Sequence, residues 1–307
     1  MTTALVTHPA CLEHDTGPGH PERADRLRAV LDALATEEFA DLRREEAPRA
    51  TPEQLTRVHD RGYVERLLAV SVPEGRHAAL DADTVISAAS TEAALRAAGG
   101  ATHAVDLVLD GGAESTFVAV RPPGHHAEPG RAMGFCLFNN AAVAALHARA
   151  RGLTRIAVAD FDVHHGNGTQ AAFWSEADLF FASSHQRPLY PGTGSADEQG
   201  AAGNIVNAPL PGGTRSAGFR LAWRNLLLPA LDAFAPELLV VSAGFDAHRA
   251  DPLANLELET EDFAWVTREL VALARRHAGG RIVSCLEGGY DLAALAASAA
   301  AHVRELI

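Results

Sequence analysis

The 307-residue chain is built on a rhythm of short apolar runs separated by longer helical patterns, and few folds accept that rhythm. Residues 4–7, 116–120, 155–159, 179–182, 237–241 and 281–285 read as strands, several of them apolar throughout rather than alternating. Such runs imply cover on both faces, as for strands of a parallel sheet. Helical stretches fill the intervals at 21–38, 84–110, 139–150, 216–234, 261–277 and 292–305. This succession predicts an α/β fold, a mostly parallel sheet between helical layers. No repeat, low-complexity linker or shift in composition divides the chain, so one domain over residues 1–307 is expected. Segments rich in proline and glycine at 121–134, 190–203 and 210–213 read as surface loops. Loops as long as the first two tend to carry function.

Charge narrows the chemistry. All 26 basic side chains are arginine, against 39 acidic ones, for a net charge of −13. Without lysine the chain can neither form a Schiff base nor build a P-loop. The negative field opposes nucleic-acid binding. The longest apolar runs, such as residues 238–245, fall far short of the roughly 20 residues of a membrane helix, so no membrane partner is expected. The opening MTTALVTHPACLEH has no basic start and no long apolar stretch, and a cytoplasmic location is expected. Cys11, Cys136 and Cys285 lie far apart with no CxxC pair, which argues against a disulfide framework or a thiolate zinc site. The fifteen histidines, by contrast, cluster.

Four segments directly follow expected strands, where open parallel sheets bind ligands. In RIAVADFDVHHGNGTQ, Asp160, Asp162 and His164 alternate, so in extended backbone they leave one face. Carboxylate plus imidazole suits a divalent ion such as zinc. In VVSAGFDAHRADPL, Asp246 could complete a set of two carboxylates and one histidine. Such a set neutralises a dication and leaves a position for water. In VRPPGHHAEPGRAMGFCLFNN, the adjacent His125 and His126 diverge too much to share an ion. They make better sense beside an activated water, one as general base and the other held by a carboxylate. In IVSCLEGGYDL, Tyr290 follows two glycines, and its phenol could donate to an oxyanion.

In order along the chain, HPERADRL, RPPGHHAEPGRAMGFCLFNNAAVAA, DFDVHHGNGTQAAF, YPGTG, SAGFDAHRADPL and LEGGYD resemble the arginase-like histone deacetylase superfamily. The likeness runs from His20 to Tyr290 and is strongest to the class II and bacterial deacetylase/acetylpolyamine amidohydrolase branch. It implies a three-layer α/β/α arrangement around a mostly parallel sheet of about eight strands. It also implies Zn2+ on Asp162, His164 and Asp246, although an O/N set accepts Fe2+ equally. By the same resemblance Asp160 supports His125 and joins Ser183 around a structural K+. His126 takes the position of general base and then acid. Its partner is Asn167, where many relatives carry aspartate, and an amide predicts a less basic imidazole. Phe135 and Tyr190 would wall a narrow tunnel, Gly134 would leave room for the substrate stem, and Asp81 would grip substrate amides at the rim.

The implied activity is hydrolytic removal of acyl groups, chiefly acetyl, from N-acylated lysine in a peptide or protein, or from a small acylated amine. Leu253 stands where polyamine-selective relatives place a carboxylate at the tunnel mouth, which argues against acetylpolyamines, the alternative substrates. A catalytically silent regulator of the kind linked to acetoin use could lose Tyr290 or a ligand without penalty, and this chain keeps the set. An arginase-like ureohydrolase would need further carboxylates for two manganese ions, and VHHGNG supplies no third. At family level a homo-oligomer is expected.

Overall fold

The computed structural model describes residues 2–307. Its strands are β1 (Thr3–Thr7), β2 (Arg43–Glu46), β3 (Ala78–Ala79), β4 (Val85–Ile86), β5 (Ser115–Val118), β6 (Ile156–Asp160), β7 (Leu179–Gln186), β8 (Ile205–Leu210), β9 (Leu238–Ala243) and β10 (Ile282–Leu286). Its helices are α1 (Ala24–Ala33), α2 (Pro52–Leu55), α3 (Arg61–Ala69), α4 (Ser90–Leu109), α5 (Asn140–Ala150), α6 (Asn167–Phe173), α7 (Ser216–Ala222), α8 (Leu228–Phe234), α9 (Thr260–His277) and α10 (Leu292–Leu306). An eight-stranded sheet runs β2-β1-β5-β10-β9-β6-β7-β8, with every neighbouring pair parallel. Two groups of helices cover it, α4 with α5 and α10 with α1, α9 and α8. β5 touches α4 and α10, and β9 touches α5 and α9, so both strands are sandwiched. That accounts for β5, β6, β7, β9 and β10 being buried at every residue. No helix among the described residues is long and apolar enough to cross a membrane.

The six apolar runs are the six inner strands. The two edge strands escape that reading because one side of each meets no partner. β2 is Arg43-Arg44-Glu45-Glu46, a charged edge of the kind that discourages further pairing. β8 carries Pro209, which a ladder tolerates only at an edge. The helix expected at 21–38 is shorter, spanning Ala24–Ala33. The helix expected from residue 84 begins at Ser90, because β4 pairs with β3 in a small antiparallel hairpin. The stretch at 216–234 is α7 and α8 joined by a π-helical turn over Trp223–Leu227.

The ends of the sheet are clamped by a buried charge cluster. Glu22, Arg26 and Arg121 have no solvent exposure. Glu22 accepts from Arg26 Nη1 at 2.9 Å and from Arg121 Nη2 at 2.7 Å. Arg26 also donates to the carbonyls of Glu287 and Gly289, which ties α1 to the turn after β10. A buried pair of this kind is costly to break, because removing the carboxylate strands two guanidinium charges.

Candidate active site

The four sequence segments leave the C-terminal ends of β5, β10, β9 and β6, which are consecutive in the sheet. Their side chains therefore converge. The ligand atoms of Asp162, His164 and Asp246 lie within 4.8 Å of one another, and all three residues are buried. His164 Nδ1 stands 3.2 Å from Asp162 Oδ1 and 3.1 Å from Asp246 Oδ2. Backbone amides aim the carboxylates: Gly288 N–H donates to Asp162 Oδ2 at 2.8 Å and Val163 N–H to Asp246 Oδ1 at 2.9 Å.

Two glycines hold the space around these oxygens. A Cβ at Gly244 would lie 2.0 Å from Asp162 Oδ2, and one at Gly288 would lie 2.1 Å from Asp246 Oδ2. Among the side chains themselves, burial lowers His164, but Asp162 and Asp246 outweigh it and raise it to about 10. Burial, reinforced by Asp162, pushes Asp246 up to about 7. Two buried carboxylates facing one imidazole in a cradle with no room for side chains fit a divalent ion, whose charge they would balance.

Beside the triad the two histidines of the β5 loop part company. His125 Nδ1 sits 3.0 Å from Asp160 Oδ2. Burial opposes its charge, yet Asp162 and Asp160 prevail and raise it to about 10. His126 Nδ1 sits 2.8 Å from Asn167 Oδ1. Burial, then the neighbouring His125 and His164, hold His126 well below the ordinary histidine range. The Asn167 hydrogen bond itself works upward on His126, and burial with the two neighbouring histidines outweighs it. The start of α6 fixes this loop, because Gly168 N–H donates to the His125 carbonyl at 3.0 Å.

Above the triad lies a cavity of about 210 Å³ lined by Asp83, His126, Gly134, Phe135, His164, Leu189, Tyr190, Leu253 and Tyr290. Phe135 packs edge-on to Tyr290 at 5.9 Å and Tyr190 edge-on to His126 at 5.1 Å, giving aromatic walls. Gly134 and Phe135 both take left-handed backbone, with φ of 56° and 68°. For phenylalanine that conformation is strained, a feature that concentrates at functional sites. A Cβ at Gly134 would come 2.5 Å from His126 Cδ2, so the glycine also clears space for the histidine ring. Among the described residues the Tyr290 phenol has no hydrogen-bond partner, while its ring lies under Arg26 at 4.8 Å.

A family profile described as Histone deacetylase domain matches residues 20–306. The chain belongs to the histone deacetylase family. It is 40% identical over 298 residues to a probable deacetylase of Archaeoglobus fulgidus, covering 95% of this chain and 82% of that protein. It is 41% identical over 330 residues to a histone deacetylase-like amidohydrolase of Pseudomonas aeruginosa, covering 99% and 86%. The crystal structure of the HDA15 HD domain superposes with a TM-score of 0.94 at 37% identity, covering 99% of this chain and 88% of that one. As a member of this deacetylase and amidohydrolase family, the chain is a hydrolase acting on amides.

Within this deacetylase fold, Asp162, His164, Asp246, His125, His126, Asn167, Asp160, Gly134, Phe135, Tyr190, Leu253 and Tyr290 come together around one cavity and its floor. Ser183 sits beneath it, paired in register with Asp160 on the adjacent strand. Asp81 does not reach the cavity. Its Oδ1 accepts from the N–H groups of Asp83 and Thr84 at 3.1 and 2.8 Å, closing the hairpin turn, and Asp83 lines the cavity instead. An aspartate that satisfies amides two and three residues on is a common turn device.

Two carboxylates of the deacetylase site escape the sequence reading. Glu287 is fully buried, and its Oε2 accepts from the N–H groups of Gly124 and His125 at 2.6 and 3.1 Å. Burial raises it to about 7 although His125 pulls the other way. Asp251 accepts from the N–H of Tyr290 at 2.7 Å and of Leu253 at 3.0 Å, joining the tyrosine to the β9 loop. Position inside the motifs SAGFDAHRADPL and LEGGYD is their sole signal in sequence. Glu287 depends on amides of the β5 loop and Asp251 on the amide of Tyr290, all more than thirty residues away.

Proposed function

We propose that this chain is a metal-dependent deacylase that releases acyl groups, chiefly acetyl, from N-acylated lysine or a related amine. The observation that carries the reading is the convergence of the Asp162–His164–Asp246 triad, the His126 ring and the Tyr290 phenol on one narrow cavity with aromatic walls. A volume of about 210 Å³ suits one extended side chain and its acyl cap rather than a folded segment. Zn2+, or Fe2+ on the same O/N set, held by Asp162, His164 and Asp246 would supply Lewis acidity to the carbonyl and to the attacking water.

The protein's own groups do the rest. With Nδ1 engaged by Asn167, His126 has Nε2 free to take the water proton and return it to the leaving amine. The low basicity of His126 keeps it neutral and able to accept. Tyr290 donates its phenol hydrogen to the oxyanion as the carbonyl becomes tetrahedral. His125, locked on Asp160, holds positive charge beside the reacting centre. Phe135, Tyr190 and Leu253 strip water from the substrate stem. A K+ ion beneath the floor is supported by the register that sets Asp160 beside Ser183.

Acetylpolyamines are the second reading, and one observation favours them: Asp83 places a carboxylate on the cavity wall, suited to a distal ammonium. Paired kinetics on an acetyl-lysine peptide and acetylputrescine, with metal-defined protein, decide between them. Higher kcat/KM on the peptide is expected. A preference for the polyamine would reverse the order, and no turnover of either with full metal occupancy would defeat the reading.

A further inference from the structure

We propose that Glu128 is a positioning residue that selects the tautomer of His126 by fixing which way the Asn167 amide faces. This rests on the reading of His126 as the base. A histidine can accept a proton at Nε2 only if its neutral proton resides on Nδ1. An aspartate partner enforces that state, because a carboxylate only accepts. An asparagine does not. Its amide can offer Nδ1 an oxygen, which selects the competent tautomer, or an NH2, which selects the opposite one. Something beyond the asparagine must make the choice.

Glu128 is in place to do so. Asn167 Oδ1 lies 2.8 Å from His126 Nδ1, and Asn167 Nδ2 donates to Glu128 Oε1 at 2.8 Å. A flipped amide would set its oxygen against the carboxylate at that distance, two acceptors with no hydrogen between them. The other acceptors near Nδ2, the His126 carbonyl at 3.5 Å and Met133 Sδ at 3.3 Å, are weaker. The choice therefore follows from the chemistry of Glu128 and not from the naming of amide atoms.

Glu128 is itself held on both sides. Arg131 binds it through Nε at 2.9 Å and Nη2 at 3.1 Å, across a Pro129-Gly130 turn whose flanking backbones bridge. His59 Nδ1 lies 3.0 Å from the Glu128 carbonyl. A carboxylate two bonds removed from the imidazole thus takes over the selecting role that a direct aspartate would have, without its full charge against the ring.

The test is 15N NMR of histidine-labelled, zinc-loaded protein, with the His126 signal assigned by its loss in His126→Ala. The wild type is expected to carry the neutral proton on Nδ1. In Glu128→Gln and Glu128→Ala the Nε2–H form should grow, with kcat down about ten- to a hundredfold and KM within about twofold. Asn167→Asp alone sets two carboxylates together and should be poor. Asn167→Asp with Glu128→Gln, where the glutamine donates to the new aspartate, should restore the Nδ1–H form and most of kcat. An Nε2–H proton in the wild type would overturn the proposal without any variant. So would unchanged tautomers in both Glu128 variants, or a double variant no better than Glu128→Gln. Because the tautomer is read without turnover, a wild type that carries Nδ1–H but hydrolyses no acyl-amine would sink the functional reading and leave the tautomer control standing.

Discussion

A methyl group at Gly288 would occupy the space into which Asp162 and Asp246 turn their carboxylates. Its carbon would lie 2.1 Å from Asp246 Oδ2 and 2.7 Å from Asp162 Oδ2, where ordinary contact begins at 3.4 Å. The two oxygens would have to retreat by 1.3 and 0.7 Å, the shortfalls from that contact distance. Gly288 is not among the residues with left-handed backbone, so alanine adds no conformational strain and the cost falls on the carboxylates. Metal–ligand distances tolerate only about 0.2 Å, and here two of three ligands move several times that. Gly288→Ala should therefore weaken Zn2+ binding by at least about a hundredfold, near 2.7 kcal/mol. Competition calorimetry with a chelator measures the affinity, and scanning calorimetry checks that the chain stays folded. Gly212→Ala, whose new carbon would stand 3.5 Å from Asn255 Cβ, is the control and should bind zinc as the wild type does. A folded Gly288→Ala protein within about threefold of wild-type affinity would mean that Asp162 and Asp246 do not hold the ion.

Tyr290→Phe should lower turnover by about 10² to 10³, as for other single oxyanion donors, with zinc affinity unchanged. Wild-type turnover in that variant would remove the phenol from the chemistry. Glu22→Gln should destabilise at neutral pH, because burial pushes the Glu22 carboxyl up but Arg121 and Arg26 overcome it and hold it at about 2. A folded-state value below the ordinary 4.5 gives stability that is complete above pH 4.5 and lost as pH falls towards 2, about 3 kcal/mol in all. In urea unfolding the gap between wild type and variant should therefore narrow across that window, and a gap indifferent to pH contradicts the assignment. Asp251→Ala strips the acceptor from the amides of Tyr290 and Leu253 and should cost about 2–4 kcal/mol. Hydrogen exchange at the Tyr290 amide should accelerate with it, and unchanged protection would show that Asp251 does not hold that turn.

Much of this molecule is legible in its sequence wherever the physics is local. An inner parallel strand is covered on both faces, so it must be apolar throughout, and each of the six such runs is an inner strand. Asp162 and His164 directly follow an inner strand and Asp246 follows another, which marks the triad in sequence. β6 nevertheless ends at Asp160, and a bend over 162–164, not extended alternation, turns the two together. The different partners of the adjacent histidines, Asp160 for His125 and Asn167 for His126, are also foreshadowed, although the two rings do not diverge and lie 4.0 Å apart.

Tertiary structure alone decided the rest. The edge strands β2 and β8 carry charge and proline, which local patterns read as loop. Asp81 and Asp83 are separated by a single residue in sequence, and only the hairpin turn settles which lines the cavity. Glu22, Glu128, Asp251 and Glu287 are four carboxylates of nearly identical chemistry. One pairs with buried arginines, one orients an amide, one holds the tyrosine turn and one holds the histidine loop. A carboxylate takes its role from the donors it meets. Arg26, Arg131 and the Leu253 amide are near their acceptors in sequence, but Arg121, Asn167 and the amides of Tyr290, Gly124 and His125 lie on distant segments that folding alone brings together.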